Sequence, residues 1–196
     1  MSLETFRAAL DYCDTSCTIG GGEPTIHPQF ERFLLVAMSH PNCSEGVHII
    51  TNGKHKERAA MLLGLAKVGA VSAELSLDDW HEPIDYDTYL DWTKEADRAR
   101  KARVRHNSDT SRVGIRNTTD GRDPIASGRA RTELEFERGE DYTCPCEDLV
   151  VTPSGDVQLC GCDDAPIIGD VLAGFNIPQL ASDGDNCTRY LEEVSA

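Results

Sequence analysis

Residues 18–30 read TIGGGEPTIHPQF, and the elements on either side follow from this stretch. Thr18 and Ile19 end a short predicted strand, and three consecutive glycines follow at once. Glycine has no Cβ, so the backbone can turn sharply there and approach a ligand closely. Beyond Pro28, four apolar residues recur at helical spacing: Phe30, Phe33, Leu34 and Ala37. The stretch therefore predicts a strand, a glycine turn and a helix.

Strands and helices continue to alternate outward from this stretch. Ser2 is the predicted N-cap of the first helix. The other predicted helices and strands cover, in chain order, 3–12 (helix), 47–53 (strand), 54–69 (helix), 70–80 (strand), 86–103 (helix) and 112–116 (strand). Strands that alternate with helices in this way predict an α/β fold with a parallel sheet and right-handed crossovers.

The overall charge excludes some classes of partner. The 196 residues include 19 Lys and Arg against 34 Asp and Glu, a net charge of −15. DNA and anionic membranes need a cationic surface, so neither is an expected partner. The chain has no apolar run of roughly 18 residues that could span a bilayer, and its first residues do not resemble a signal peptide. We expect a cytoplasmic protein.

One segment carries the opposite charge. Between Arg98 and Arg131 there are ten basic residues against Asp109, Asp120 and Asp123, a local charge of +7. A solvated helix face and loop would explain this segment. A local groove for an anionic substrate is the alternative.

The chain contains eight cysteines, and four of them form two closely spaced pairs. In a reducing compartment such pairs favour metal binding or catalysis over a disulfide framework. The pairs flank DLVVTPSGDVQL (148–159), which predicts a hairpin with a three-residue loop. The eight cysteines are Cys13, Cys17, Cys43, Cys144, Cys146, Cys160, Cys162 and Cys187.

The hairpin register predicts which side chains share a face. Val150 is expected opposite Gln158, and Cys146 opposite Cys162. Because side chains alternate along a strand, one face carries an apolar set, Leu149, Val151, Val157 and Leu159. The other face then carries all four paired cysteines, Cys144, Cys146, Cys160 and Cys162.

Four convergent thiolates suit a tetrahedral metal or an iron–sulfur cluster. A Cys146–Cys162 disulfide and buried thiols without a ligand remain alternatives. Cys187 precedes a predicted C-terminal helix and could replace one hairpin ligand.

The glycine stretch resembles the second-strand motif of the radical S-adenosylmethionine (SAM) enzymes. The preceding MSLETFRAALDY, the ITNG at 50–53 and the SLDDWHEP at 76–83 resemble neighbouring elements of that family in the same order. The resemblance covers roughly residues 3–103. It implies a partial (β/α)6 barrel that lacks its first strand. It also implies SAM-contacting residues: Gly21, Gly22, Glu23, Pro24, Asn52, Ser76 and Asp78.

The cysteine hairpin resembles a second feature of the same family. The spacing Cys144-x10-Gly155-x4-Cys160, with SGRA at 127–130 before it, resembles the SPASM and twitch extensions. The resemblance implies an auxiliary [4Fe-4S] cluster, with a structural zinc site as the alternative. The implied domains are 1–103 (barrel core), 104–143 (last barrel strands and linker) and 144–196 (cysteine hairpin and C-terminal helix).

The chain departs from the family at its catalytic cluster. The family holds that cluster on Cys-x3-Cys-x2-Cys, in a loop before the helix that opens this chain. Cys13 and Cys17 match the first spacing, but Gly20 stands where the third cysteine belongs. We therefore expect the first strand and its loop to be missing here, and Cys13, Cys17 and Cys43 to be ordinary thiols.

The resemblance implies a reaction but no substrate. In the full-length form a reductant would deliver one electron through the cluster, and SAM would yield a radical that abstracts hydrogen from an unidentified substrate. The alternative is a non-catalytic family member. Among the remaining candidates, His27 is interpreted as shaping the entry to the following helix. His81 is a possible site residue, and Trp80 and Trp92 are interpreted as packing residues.

Overall fold

Four parallel strands, adjacent in chain order, form one of the two sheets in the described part of the chain. A computed structural model describes residues 1–77, 83–106, 112–117, 149–159, 161 and 165–176. The strands of this sheet are β1 (Ser16–Ile19), β2 (Gly46–Thr51), β3 (Ser72–Leu77) and β4 (Val113–Asn117), in the order β1-β2-β3-β4. Helices α2 (Phe30–Met38), α3 (Lys56–Lys67) and α4 (Tyr86–His106) connect them. The predicted α/β class with a parallel sheet is confirmed.

The two faces of this sheet differ in burial. Along β2, Val47 and Ile49 are buried whereas His48 and Ile50 are only half-buried. The pattern repeats along β3, and the registers align it across strands, because Ile49 is paired with Ala73. A parallel sheet covered by helices on both faces has nearly continuous apolar strands. This alternation indicates one covered face and one face that is partly open.

The covered face packs against apolar stripes on the helices. All four residues predicted to share a face of α2 are buried: Phe30, Phe33, Leu34 and Ala37. Helix α3 contributes Ala59, Leu62, Leu63 and Ala66, and α4 contributes Trp92, which is fully buried as a packing residue. Among the described residues no helix has both the length and the apolar character to cross a bilayer.

Helix α4 begins where Asp85 caps it. The Asp85 carboxylate accepts a hydrogen bond from the Thr88 amide at 3.1 Å and lies 2.9 Å from Lys56 Nζ. The Lys56 ammonium, followed by the Thr88 amide, holds the pKa of Asp85 below its usual value. This side-chain cap satisfies an amide that the first turn leaves without a partner in the helix.

The chain divides into two compact units, Leu10–Arg122, and Met1–Ala9 with Asp123–Ala196. The second unit includes most of α1 (Leu3–Leu10) and an antiparallel sheet. Ser2 Oγ accepts from the Thr5 amide at 3.0 Å, which confirms the predicted cap of α1. The antiparallel sheet contains β5 (Val150–Val151), β6 (Asp156–Gln158), β7 (Ile167–Asp170) and β8 (Gly174–Phe175).

The predicted hairpin register is confirmed within this sheet. Val150 is paired with Gln158, and the Thr152 amide donates to Asp156 O at 2.9 Å. Val157 is buried on the predicted apolar face, but Leu149 is 36% exposed, so that face is shorter than predicted. Strands β7 and β8 extend the hairpin to four strands and have no counterpart in the prediction.

The burial pattern predicts the effect of truncating two helical leucines. Leu62 in α3 is fully buried, whereas Leu35 in α2 is 66% exposed. We expect Leu62→Ala to lower the free energy of unfolding by about 2–5 kcal/mol, because it leaves a cavity. The matched control Leu35→Ala should change it by less than about 1 kcal/mol. Urea denaturation of both variants measures the difference, and equal losses would contradict the assigned core.

Candidate functional site

The glycine turn at the end of β1 is open to solvent. Gly21 and Gly22 have φ of +76° and +57°, in the left-handed region that other residues rarely adopt. Both are exposed, and a Cβ built on either would meet no atom within 4 Å. This stretch of backbone is therefore free for a ligand to approach.

The Glu23 carboxylate fastens this turn to the end of the neighbouring strand. Its Oε1 accepts from the Thr25 amide at 3.0 Å, from the Thr25 hydroxyl, and from the Thr51 hydroxyl at 2.8 Å. Its Oε2 accepts from the Asn52 amide at 2.5 Å. Thr51 ends β2, so one carboxylate joins the carboxyl ends of β1 and β2. Ligands of parallel sheets collect at this edge.

These bonds limit what else the Glu23 carboxylate can hold. A carboxylate oxygen has two acceptor lone pairs. Oε1 already has three donors, whereas Oε2 has one and keeps room for another. Most of the hydrogen-bond acceptor sites of the carboxylate are therefore occupied by Thr25, Thr51 and Asn52. A ligand would meet the exposed backbone of Gly21 and Gly22, with Oε2 as the only carboxylate oxygen that has a lone pair to spare.

Asn52 and Gly53 form a tight turn beside Glu23. The Asn52 side-chain oxygen accepts from the Lys54 amide at 3.0 Å, and the Gly53 amide donates to Thr51 Oγ1 at 3.1 Å. Gly53 has a φ of +73°, and a Cβ there would lie 2.7 Å from a Leu75 methyl group. The turn thus needs glycine at this position. It uses the Asn52 side-chain oxygen and leaves the Nδ2 amide group available for a ligand.

Arg58 of α3 holds the segment that follows the glycine turn. Its guanidinium donates to the carbonyl oxygens of Thr25 and His27, the latter at 2.9 Å. It also forms a bidentate pair with Glu31, at 2.7 and 3.1 Å. A planar guanidinium suits such a forked contact. Thr51 lies within the ITNG stretch, but nothing in the sequence marks its hydroxyl, or the Arg58 guanidinium, as a contact of the glycine segment.

Pro24 and His27 shape the chain between the turn and α2. Pro24 opens a short 3-10 turn, Pro24–Ile26, and its carbonyl accepts from the His27 amide at 3.1 Å. The His27 Nδ1 accepts from the Gln29 amide at 3.2 Å, and its ring meets the Phe33 ring edge-on at 4.7 Å. These contacts give His27 the predicted role at the helix entry.

A histidine–carboxylate pair lies on the partly open face of the sheet. His48 Nε2 is 3.7 Å from Glu74 Oε2, and both side chains are partly exposed. Ser76 lies two residues beyond Glu74 on the same face of β3. Its neighbour Leu75 is paired with Thr51, so Ser76 lies near the carboxyl end of β2. On β4, a Cβ at Gly114 would lie 2.9 Å from Glu74 Cγ, so glycine makes room for this carboxylate. No sequence motif indicates a function for His48 or Glu74.

Several predicted site residues lie outside the described residues. They are Asp78, Trp80, His81, Cys144, Cys146, Cys160, Cys162 and Cys187. Within the described part of the chain, no group of three or more His, Cys, Asp or Glu residues is placed to hold a metal ion. The predicted cysteine site therefore stays a prediction.

Part of the basic segment is paired with acidic residues of its own helix. Arg98 bonds to Glu95 through two nitrogens, and Arg100 Nη2 lies 3.1 Å from Asp97 Oδ1. The Arg98 guanidinium holds the pKa of Glu95 below its usual value. For these two arginines, the contacts fit a solvated helix face.

No family model, no curated protein and no solved structure matches this chain.

The Glu23 contacts predict a stability effect at Thr51. Thr51→Val keeps the shape of the side chain but removes the hydroxyl that bridges Glu23 and Gly53. We expect the free energy of unfolding to fall by about 1–3 kcal/mol, because a carboxylate loses a donor in a buried setting. Thr18→Val, at an exposed position of β1, is the matched control and should change it by about 0.5 kcal/mol or less. Equal effects in urea denaturation would contradict the role of Thr51.

Proposed function

We propose that this chain is the SAM-binding part of a radical SAM protein, with the parallel sheet as part of a (β/α)6 barrel. The observation that carries the proposal is the exposed Gly21–Gly22 backbone, held by Glu23 at the carboxyl end of β1. The resemblance of TIGGGEPTIHPQF to the family motif supplies the identity of the ligand.

The sheet has two further features that support a barrel segment. Its strands lie in chain order, as neighbouring strands of a barrel do. One of its faces is partly open and carries His48 and Glu74, which would line the interior if further strands closed the sheet. A doubly wound sheet would reverse the strand order and cover both faces.

The residues at this edge fit the amino-acid and ribose groups of SAM. Its ammonium group needs oxygen acceptors, which the glycine turn offers as backbone carbonyls together with Glu23 Oε2. Its carboxylate and ribose need donors, which Asn52 Nδ2 and the Ser76 hydroxyl can supply. Asp78 and Pro24 complete the proposed set, with Pro24 fixing the turn rather than donating to the ligand.

When bound to a reduced [4Fe-4S] cluster, SAM supplies a 5′-deoxyadenosyl radical that abstracts hydrogen from a substrate. This chain's own contribution would be to orient SAM at the glycine turn. The Cys-x3-Cys-x2-Cys ligands of that cluster do not occur within the 196 residues, so we expect no cleavage of SAM by this chain alone. The substrate, for which the basic segment 98–131 suggests an anion, would approach the face that carries His48 and Glu74.

The second candidate is a non-catalytic member of the family, with the cysteine hairpin as a structural zinc site. The saturated Oε1 of Glu23 favours it, because these three hydrogen bonds stabilise the fold whether or not a ligand binds.

SAM binding should depend on the glycine turn. Gly22→Ala places a side chain at a φ of +57°, which costs about 1–2 kcal/mol and tilts the turn away from its binding geometry. We expect its SAM dissociation constant to rise by about tenfold. Gly64→Ala, in α3 with open space around it, is the matched control and should leave the constant unchanged. Isothermal titration calorimetry of both variants with SAM tests this.

Two results would contradict the proposed SAM site. One is a SAM dissociation constant that is the same in Gly22→Ala and Gly64→Ala. The other is no binding by the wild-type chain at millimolar SAM, with circular dichroism showing that the chain is folded.

The metal content of the hairpin should separate the two candidate functions. After anaerobic reconstitution with iron and sulfide, we expect bound iron that is lost in Cys144→Ala and Cys160→Ala, because thiolates hold such clusters. Cys43→Ala is the control and should retain the iron. About one zinc per chain in place of iron, measured by elemental analysis, would favour the non-catalytic candidate.

A further inference from the structure

The segment that leads into β1 is bonded to the segment that leads into β2 at two levels. At the first level, Asn42 Nδ2 donates to Asp11 O at 2.8 Å, and His40 Nε2 lies 3.3 Å from the Asp11 carboxylate. At the second level, the Glu45 amide donates to Thr15 O at 2.8 Å, and Thr15 Oγ1 donates to Glu45 Oε2 at 3.2 Å. These contacts hold residues 11–15 alongside residues 40–45.

Two cysteines lie between these two levels, and a third follows the second level. Cys13 lies in the first segment, Cys43 ends a short 3-10 turn in the second, and Cys17 belongs to β1. Cys17 is paired with the buried Val47 and alternates with exposed neighbours, so its side chain is turned to the covered face, where Cys43 is 6% exposed. The three cysteines therefore lie on adjoining segments, and none takes part in a disulfide.

The contacts give the three sulfurs different protonation. Hydrogen bonds from Cys17 first, and also from Cys43, lower the pKa of Cys13 to about 7, although burial and Asp14 act in the opposite direction. The pKa of Cys17 is raised, first because its thiol donates to Cys13. The pKa of Cys43 is raised, first by burial. Of the three, Cys13 therefore has the largest thiolate fraction near neutral pH, and its side chain is half-buried.

We propose that Cys13, Cys17 and Cys43 form a redox-active thiol cluster, in which Cys13 is the nucleophile oxidised by a peroxide and Cys17 closes a disulfide with it. Thiolates, rather than thiols, react with peroxides. The cluster lies at the amino end of β1, whereas the glycine turn follows its carboxyl end. The inference does not depend on SAM binding.

The oxidation balances in two steps. The Cys13 thiolate attacks one peroxide oxygen, the O–O bond breaks, and Cys13 becomes a sulfenic acid while hydroxide leaves and takes up a proton. The Cys17 sulfur then attacks the Cys13 sulfur, the S–O bond breaks, and water leaves with the Cys17 proton. In total, two thiols lose two electrons to one hydrogen peroxide, which becomes two waters.

Cys17 is the expected resolving thiol because it follows Cys13 closely in the chain and is half-buried, whereas Cys43 is buried. The pKa of Cys17 is raised chiefly by the bond that it donates to the Cys13 sulfur, and a neutral sulfenic acid no longer favours that proton. Cys43 stays protonated through burial, which Cys13 oxidation does not alter. Its role is to donate to the Cys13 thiolate.

Peptide mapping of the oxidised chain tests the proposal. The reduced full chain is treated with equimolar hydrogen peroxide, its remaining thiols are blocked with N-ethylmaleimide, and digestion on the amino side of Asp14 separates Cys13 from Cys17. We expect a Cys13–Cys17 disulfide as the first product. It should be absent from Cys13→Ser and retained in Cys43→Ala. A Cys13–Cys43 disulfide, or oxidation elsewhere while both Cys13 and Cys17 are alkylated, would overturn the proposal.

The pH dependence of Cys13 alkylation gives a second readout. With iodoacetamide, the rate at Cys13 in the wild-type chain should reach half its maximum near pH 7. In Cys17→Ala the midpoint should move toward the ordinary thiol value of about 8.5. An unchanged midpoint in a variant with wild-type circular dichroism would overturn the role of Cys17.

Discussion

The site depends on the hydrogen bonds that the Glu23 carboxylate accepts. The carboxylate accepts from Thr25 on its own turn and from Thr51 and Asn52 on the next strand. Hydrogen bonds to an ionised acceptor are shorter and stronger than neutral ones. They fix the glycine turn against the carboxyl edge of the sheet, while Gly21 and Gly22 themselves contact nothing nearby. An exposed turn with two left-handed residues would otherwise have little to define its shape. Arg58 stabilises the segment after the turn by donating hydrogen bonds to the carbonyl oxygens of Thr25 and His27.

The difference between the two faces of the sheet explains where chemistry can occur. The helices cover the face that carries Val47, Ile49 and Leu75, and that face supplies the core. The opposite face keeps His48 and Glu74 partly exposed at 3.7 Å from each other. In the proposed barrel this polar face would meet the substrate, and the edge beside it would hold SAM. The thiol cluster lies at the opposite end of β1, so oxidation there and ligand binding at the turn are separable.

Helices, caps and hairpins are predicted well from the sequence because they depend on residues that are close together in the chain. The apolar stripe of α2, the cap at Ser2 and the hairpin pairing of Val150 with Gln158 all follow from neighbouring residues. The contacts that build the site join residues far apart in the chain, and no periodicity encodes them. Thr51 and Arg58 are examples, since each meets the glycine segment from another element. The meeting of Cys13 with Cys43 is another, because it needs the alignment of two strand entries. Strands β7 and β8 have short sequences with glycine in each, which hides the alternation of a strand.

The most direct test of the account is a nuclear magnetic resonance titration of the 15N-labelled chain with SAM. If the glycine turn binds SAM, the largest amide shift changes will fall on Gly21, Gly22, Asn52 and Ser76, at the carboxyl edge of β1 to β3. Shift changes confined to another surface, such as the groove of Lys56, Asp91 and Trp92 between α3 and α4, would contradict it. So would the absence of any change at millimolar SAM.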